Sequence, residues 1–176
     1  MVELGLDSEL LAEINNQLEQ KGIKVKQANG AVIDATIIQS AAKPGKQLEQ
    51  IPEDRNEDEV VLENKHETNP SKFLVRESRD PDARWLKKGR KTFFGYKMFV
   101  STESEGGFVE HVAVTSANQS EVGFLPAFLE GMKNHPGRRI YGDKGYASKA
   151  NRELLKSHGL KDGLMERASR GKVLRA

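Results

Sequence analysis

The chain has no cysteine, which excludes zinc-thiolate sites, cysteine nucleophiles and a disulfide framework. It also lacks any apolar run near the roughly 20 residues that a membrane-spanning helix needs. Met1 is followed by Val2-Glu3-Leu4 rather than by a basic and then apolar leader. Serine nucleophiles are not supported either, because Ser116, Ser120 and Ser148 have no His and Asp context for acyl transfer. The reading is a soluble intracellular protein with no membrane partner. Its 176 residues are enough for one domain that buries a core without cross-links.

The net charge of +2 conceals strong clustering. Between Glu49 and Glu67 there are eight acids against two bases, Arg55 and Lys65. Between Arg84 and Lys97 the balance reverses: Arg84, Lys87, Lys88, Arg90, Lys91 and Lys97 occur with no acid, and Trp85, Phe93, Phe94 and Tyr96 are interleaved. Such a block suits contact with a phosphate backbone. The competing reading is a solvated basic turn beside a half-buried strand.

Apolar spacing at Leu10, Leu11, Ile14 and Leu18 predicts a helix over Ser8 to Lys21, capped by Asp7 or Ser8 and stopped by Gly22. A strand follows from Gly30. From Ser40 to Pro81 no period is sustained, which predicts a long, partly disordered acidic insert. Thr92 to Thr102 and Phe108 to Thr115 read as two strands of a hairpin turning at Gly106-Gly107. Ser120 caps a helix from Glu121 to Met132, although Pro126 inside it argues for a later start. A strand ends at Asp143, Ser148 caps a helix through His158, and a short strand lies near Gly163 to Met165 before the basic tail of Arg167, Arg170, Lys172 and Arg175. The fold class is therefore α/β: a ribonuclease H-like mixed sheet flanked by helices, with the insert after its first strand. In that sheet the strand from Gly30 and the strand ending at Asp143 are neighbours.

Two aspartates stand out chemically. Asp34 interrupts the apolar run Ala31-Val32-Ile33-Asp34-Ala35-Thr36-Ile37-Ile38, and Asp143 lies in Tyr141-Gly142-Asp143-Lys144-Gly145-Tyr146. An acid inside a core strand is costly to desolvate and calls for a partner such as a metal ion. Paired carboxylates suit Mg²⁺ or Mn²⁺ and phosphodiester chemistry, because such ions take oxygen ligands and share them with substrate phosphate. Lys144 is placed to hold phosphate. The alternative for Asp143 is a turn-forming Asp between two glycines, and for Asp34 an N-cap or Asx turn. His111 and His158 read as structural, the latter favoured as a cation near a helix C-terminus.

Taken in order, Val32 to Ile38, Asp80-Pro81-Asp82-Ala83-Arg84-Trp85, Phe94-Gly95-Tyr96-Lys97, Val114-Thr115-Ser116-Ala117-Asn118 and Tyr141 to Tyr146 resemble bacterial insertion-sequence transposases of the DDE type, of the class named after insertion sequence five. The resemblance runs from about Gly22 to the C-terminus. It implies a ribonuclease H-like catalytic domain that holds Mg²⁺ (or Mn²⁺) on two Asp and one Glu for DNA strand cleavage and transfer, in a cytoplasmic, nucleoid-associated bacterial protein. By position it assigns Asp34 and Asp143 as the catalytic and metal-binding acids. It assigns Arg84, Lys87, Lys88, Arg90, Lys91, Lys97 and Lys144 to DNA, meaning element ends and target. The complete protein is expected to be a homo-oligomer. The third acid of such enzymes lies on a helix beyond the last strand, and no residue here matches it: Glu153 falls on the intervening helix and Glu166 at the end of the last strand. Residues 1–22 are expected to be the remnant of an upstream helical region and 23–176 an incomplete catalytic domain with an acidic insert at 40–81. A catalytically inactive DNA-binding or dimer-forming remnant, or a standalone metal nuclease, are the alternatives. The sheet is expected to leave an edge or an apolar face exposed.

Overall fold

The computed structural model describes residues 6–42 and 78–166. Most of the acidic insert and the basic tail lie outside the described residues. The first helix, α1 (Leu6–Gln20), begins before both expected caps, so Asp7 and Ser8 fall in its first turn. The strands are β1 (Gly30–Gln39), β2 (Arg84–Lys88), β3 (Lys91–Glu103), β4 (Val109–Ser116), β5 (Arg139–Gly142) and β6 (Lys161–Leu164), with α2 (Glu121–Gly131) and α3 (Lys149–Ser157) flanking β5 in sequence.

Strand β2 was not anticipated; its exposed basic residues conceal the strand period. It pairs antiparallel with the first half of β3 through Lys88↔Lys91 and Trp85↔Phe94. Gly89 supplies φ +62° at the first position of this two-residue turn, while Arg90 at the second has no positive φ, as a type II′ hairpin requires. The second half of β3 pairs with β4 on the same edge, and the remaining order is β3-β1-β5-β6. The β1–β3 pairing is antiparallel, whereas β1–β5 and β5–β6 are parallel. Four antiparallel strands, β1 to β4, followed by two parallel strands reached through helices form the mixed ribonuclease H-like sheet.

Alternation along β1 divides the sheet into two faces. Ala31 and Ile33 point inward with Phe99 and Ile140, where they meet Leu125, Phe128 and Leu129 of α2 and Leu155 of α3. Val32, Ile38, Val114 and Tyr141 project from the opposite face and are exposed, Val114 by 56 %. This is the apolar surface that the sequence led us to expect.

Pro126 does not delay α2. The helix begins at Glu121, with the Ser120 hydroxyl accepting from the Gly123 amide at 3.1 Å. Proline removes the amide that would otherwise bond to the Val122 carbonyl. The Asn151 side chain supplies that donor from α3, at 2.9 Å, and also donates to the Tyr146 carbonyl at 2.7 Å. Asn151 is only 4 % exposed, so both carbonyls depend on it for a donor away from water.

The register of β4 against β3 slips between Ser101 and Thr102, leaving Glu110 as the unpaired residue of a bulge. Its carboxylate ties Arg138 to Lys24, the latter at 3.3 Å.

Candidate active site

The register brings the two aspartates together. Ile33 pairs with Gly142 in the parallel β1–β5 ladder, so Asp34 and Asp143 are the next residues of two strands about 4.8 Å apart. Both are exposed, because Asp34 occupies an outward position of a strand that is buried on one face only. The desolvation argument for Asp34 is thereby corrected: it does not lie in the core, and no partner is needed to offset burial. Each carboxylate is oriented locally. Asp34 Oδ1 accepts from the Ala35 amide at 2.8 Å, and Asp143 Oδ1 accepts from the Gly145 amide at 2.7 Å. The Asx-turn reading of Asp143 is therefore correct and compatible with a ligand role. In both residues Oδ2 has no hydrogen bond among the described residues and remains open to a ligand.

A third acid stands beside this pair and was not singled out in the sequence. Glu121, in the first turn of α2, accepts from the Lys97 ammonium at 3.4 Å. A Cβ built on Gly145 would collide with Glu121 Oε2 and lie 2.8 Å from Asp143 Oδ1. The two carboxylates thus flank one cradle, which stays open because residue 145 has no side chain. The only sequence signal for Glu121 is an acid directly after a helix cap, which the helix dipole explains without any ligand. Glu153 pairs with Lys149 at 3.8 Å on the exposed side of α3, and Glu166 is exposed beyond β6. Among the described residues, no three histidine or acidic side chains converge closely enough to hold an ion by themselves. Asp34 and Asp143 do fit a cation held mainly by water and substrate, the usual manner of Mg²⁺.

Tyr146 closes the site from beneath. Its ring belongs to the core and its hydroxyl is buried without a hydrogen-bond partner among the described residues. Burial pushes the phenol well above its usual range, and the Glu121, Asp34 and Asp143 carboxylates push it in the same direction.

The basic residues separate into two groups. Arg84, Lys87, Lys88, Arg90 and Lys91 are exposed on the β2–β3 hairpin, and Lys144 is exposed beside Asp143. Arg84 folds back onto the carbonyls of Pro81 and Ala83, the latter at 2.9 Å. Lys97 differs from the rest: it is 6 % exposed, and its ammonium donates to the Gln119 carbonyl at 2.7 Å as well as to Glu121. Its expected contact with DNA is therefore corrected to a buried tie between β3 and the start of α2. The hairpin extends the sheet past the C-terminal end of β1, and Gln39 there pairs with Gly95. At roughly 3.3 Å per residue, the five residues from Asp34 to Gln39 span about 17 Å.

The two ends of the insert meet at the same end of the sheet. The Ser40 hydroxyl donates to Asp80 at 2.6 Å, the Ser78 hydroxyl donates to the Ala42 carbonyl at 3.0 Å, and the Tyr96 hydroxyl donates to Asp80. Hydrogen bonds from Ser40 and Tyr96 hold the Asp80 carboxyl below its usual range, while the same Asp80 bond pushes the Tyr96 phenol to about 12. The Asp80-Pro81-Asp82 and Tyr96 motifs are thus parts of one latch.

Neither histidine joins the acids. His111 packs its ring 4.8 Å from Phe128, and burial lowers its basicity. His158 caps α3 with Nδ1 2.9 Å from the Leu154 carbonyl.

A family model described as "Transposase DDE domain" matches residues 26–175. The transposase for insertion sequence element IS1106 of Neisseria meningitidis serogroup B is 42 % identical over 167 residues, covering 95 % of this chain. The chain spans about half the length of that relative, 52 %. A cryo-EM structure of the piggyBac transposase synaptic complex with hairpin DNA aligns at a TM-score of 0.45 and 10 % identity, over 98 % of this chain and 31 % of the other. With the family model spanning nearly all of the described fold, this chain belongs to the transposase DDE-domain family.

Proposed function

We propose that the chain carries the catalytic core of an insertion-sequence transposase, in which Asp34 and Asp143 hold a divalent cation, Mg²⁺ or Mn²⁺, at a DNA phosphodiester. The observation that carries this reading is the β1–β5 register, which brings two acids distant in sequence to adjacent positions with one free oxygen each. When bound, the cation supplies Lewis-acid activation of the attacking water or 3′-hydroxyl and neutralises charge on the phosphate. The residues of the chain do the rest. The amides of Ala35 and Gly145 fix the orientation of the two carboxylates. The exposed Lys144 ammonium offers charge to a phosphate beside Asp143. Lys87, Lys88, Arg90 and Lys91 on the β2–β3 hairpin follow the DNA backbone away from the cut, binding it without reading its sequence. Element ends and target DNA are the substrates, and the complete protein works as a homo-oligomer.

The test is nicking of supercoiled DNA in Mn²⁺ by the native chain and by Asp34→Asn and Asp143→Asn. Cleavage lost in both variants with DNA binding retained supports the enzyme. DNA binding without cleavage in the native chain selects the second reading, a non-catalytic remnant. What supports that second reading is that two carboxylates bind a cation more loosely than three, and among the described residues no third acid converges with Asp34 and Asp143.

A further inference from the structure

Tyr141 lies down on the sheet instead of standing up from it. It is an outward residue of β5, paired with Val32 of β1 and Gly163 of β6, and it shares that face with Asp34, two residues beyond Val32. The positions that would crowd its ring are glycines. A β-carbon on Gly30 would stand 2.8 Å from Tyr141 Cε2, and one on Gly163 would stand 2.9 Å from Cδ1. Opposite edges of the ring therefore rest at the height where β-carbons of β1 and β6 would be, with one π-face on the backbone and the other turned outward. The residue is 40 % exposed. An upright ring would not need glycine on both sides; a flat one does. Arg139 and Lys161 are paired in the β5–β6 ladder, exposed and on the same face, and the Arg139 stem crosses Gly163, its Cγ 3.0 Å from where a β-carbon would be. Asp162 alternates to the other side, where it pairs with Arg152, and Glu105 is held at the start of β1 by the amide and side chain of Asn29 at 2.9 and 3.0 Å. The charged groups bordering the open ring face are thus the two cations.

We propose that Tyr141 is a stacking platform for an unpaired DNA base, with Arg139 and Lys161 holding the phosphates that flank that base. The proposal rests on the reading of Asp34 and Asp143 as the site of a DNA phosphodiester. The ring leans toward Gly30, so its centre lies about three residues, or roughly 10 Å, before the acids along β5. A base resting there belongs to the strand whose phosphate meets the acids, a few nucleotides removed. Every base has a π-face, so the platform holds the strand without reading its sequence. An apolar protein segment laid over the same patch would desolvate both cations with no counter-charge, whereas a phosphate supplies one.

The experiment compares, by fluorescence anisotropy without divalent metal, the binding of an oligothymidine and of an abasic strand of equal length, which has the same phosphates and no bases. The native chain should bind the oligothymidine at least about 5-fold more tightly. Tyr141→Phe should keep that preference, Tyr141→Leu should bind both strands alike, and Arg139→Gln should weaken both equally. Irradiation of the native chain with an oligonucleotide carrying 5-iododeoxyuridine should cross-link Tyr141, a readout that needs no variant to fold. Equal affinity of the native chain for the two strands overturns the platform, as does a preference that persists in folded Tyr141→Leu. A cross-link elsewhere, as at Trp85 of the hairpin, or none at all, overturns it too. In each of these cases, nicking in Mn²⁺ that is lost in Asp143→Asn leaves the reading of the acids standing. Binding of neither strand by the native chain refutes the DNA reading and this proposal with it.

Discussion

The two ends of the sheet treat charge in opposite ways. Where β1 and β5 begin, charged groups are buried and paired: Lys24 is held by Glu19 at 2.8 Å and Glu110 at 3.3 Å, and Arg138 by the same Glu110. Glu103, 1 % exposed, takes the amides of Glu105 and Gly106, each at 2.6 Å, and of Phe108 at 3.4 Å. Where β5 ends, Asp34 and Asp143 are exposed and each uses one oxygen on its own backbone. The difference separates two uses of a carboxylate. At one end the acids hold the chain together, and their removal leaves buried charge or buried amides unmatched; at the other they are exposed, and their removal is expected to leave the fold intact.

Glu110→Ala gives the largest break in this comparison. It leaves the buried Arg138 with carbonyl partners only and the buried Lys24 with Glu19 as its remaining carboxylate, and loss of about 3–5 kcal/mol is expected, measured by urea unfolding. Asn151→Ala should follow, at about 2–3 kcal/mol, because the carbonyls of Val122 and Tyr146 lose their donor together; the same unfolding assay decides it. Glu103 sharpens the contrast through pH. Burial pushes its carboxyl up, but the three amides and the charge of Lys24 more than offset that, so its folded value lies below the ordinary 4.5. Its contribution is therefore complete above about pH 4.5 and disappears as pH falls through the lower folded value. A Glu103→Gln chain should lose that part of its acid sensitivity, seen as a flatter melting temperature against pH. The smallest effect is expected at the other end. Asp34→Asn and Asp143→Asn should each change stability by less than about 0.5 kcal/mol without metal, and the proposed cation site predicts that each variant loses any rise in melting temperature that Mn²⁺ produces in the native chain. A large loss of metal-free stability in either variant would erase the distinction between the two ends.

The order of β1, β3, β4, α2, β5, α3 and β6 was legible in the sequence because it rests on local signals, such as β-branched alternation around Asp34, the Ser120 and Ser148 caps and glycines around Asp143, and the juxtaposition of the acids followed from matching that order to a ribonuclease H-like sheet. The motifs added their order along the chain. Contacts made across long separations were less visible. Nothing near Pro126 announces that Asn151 replaces its missing amide, since that donor comes from another helix. Lys97 reads as one more base in a basic block until its neighbours in β3 turn it inward. Strand β2 is hidden because Lys87 and Lys88 face solvent on an edge, where pairing rather than burial defines the strand. Glu121 reads as a helix-dipole acid, and only the fold places it across the cradle from Asp143.

The latch formed by Ser40, Ser78, Asp80 and Tyr96 makes the sheet indifferent to what is threaded between positions 42 and 78. Its ends are stitched within hydrogen-bond distance by residues that belong to the sheet side. The entropy of closing a loop rises by only about 0.6 kcal/mol for each doubling of its length. Changes in the length of the segment between residues 42 and 78 are therefore expected to cost the sheet little, so that it is free to diverge at a different rate from the strands on either side.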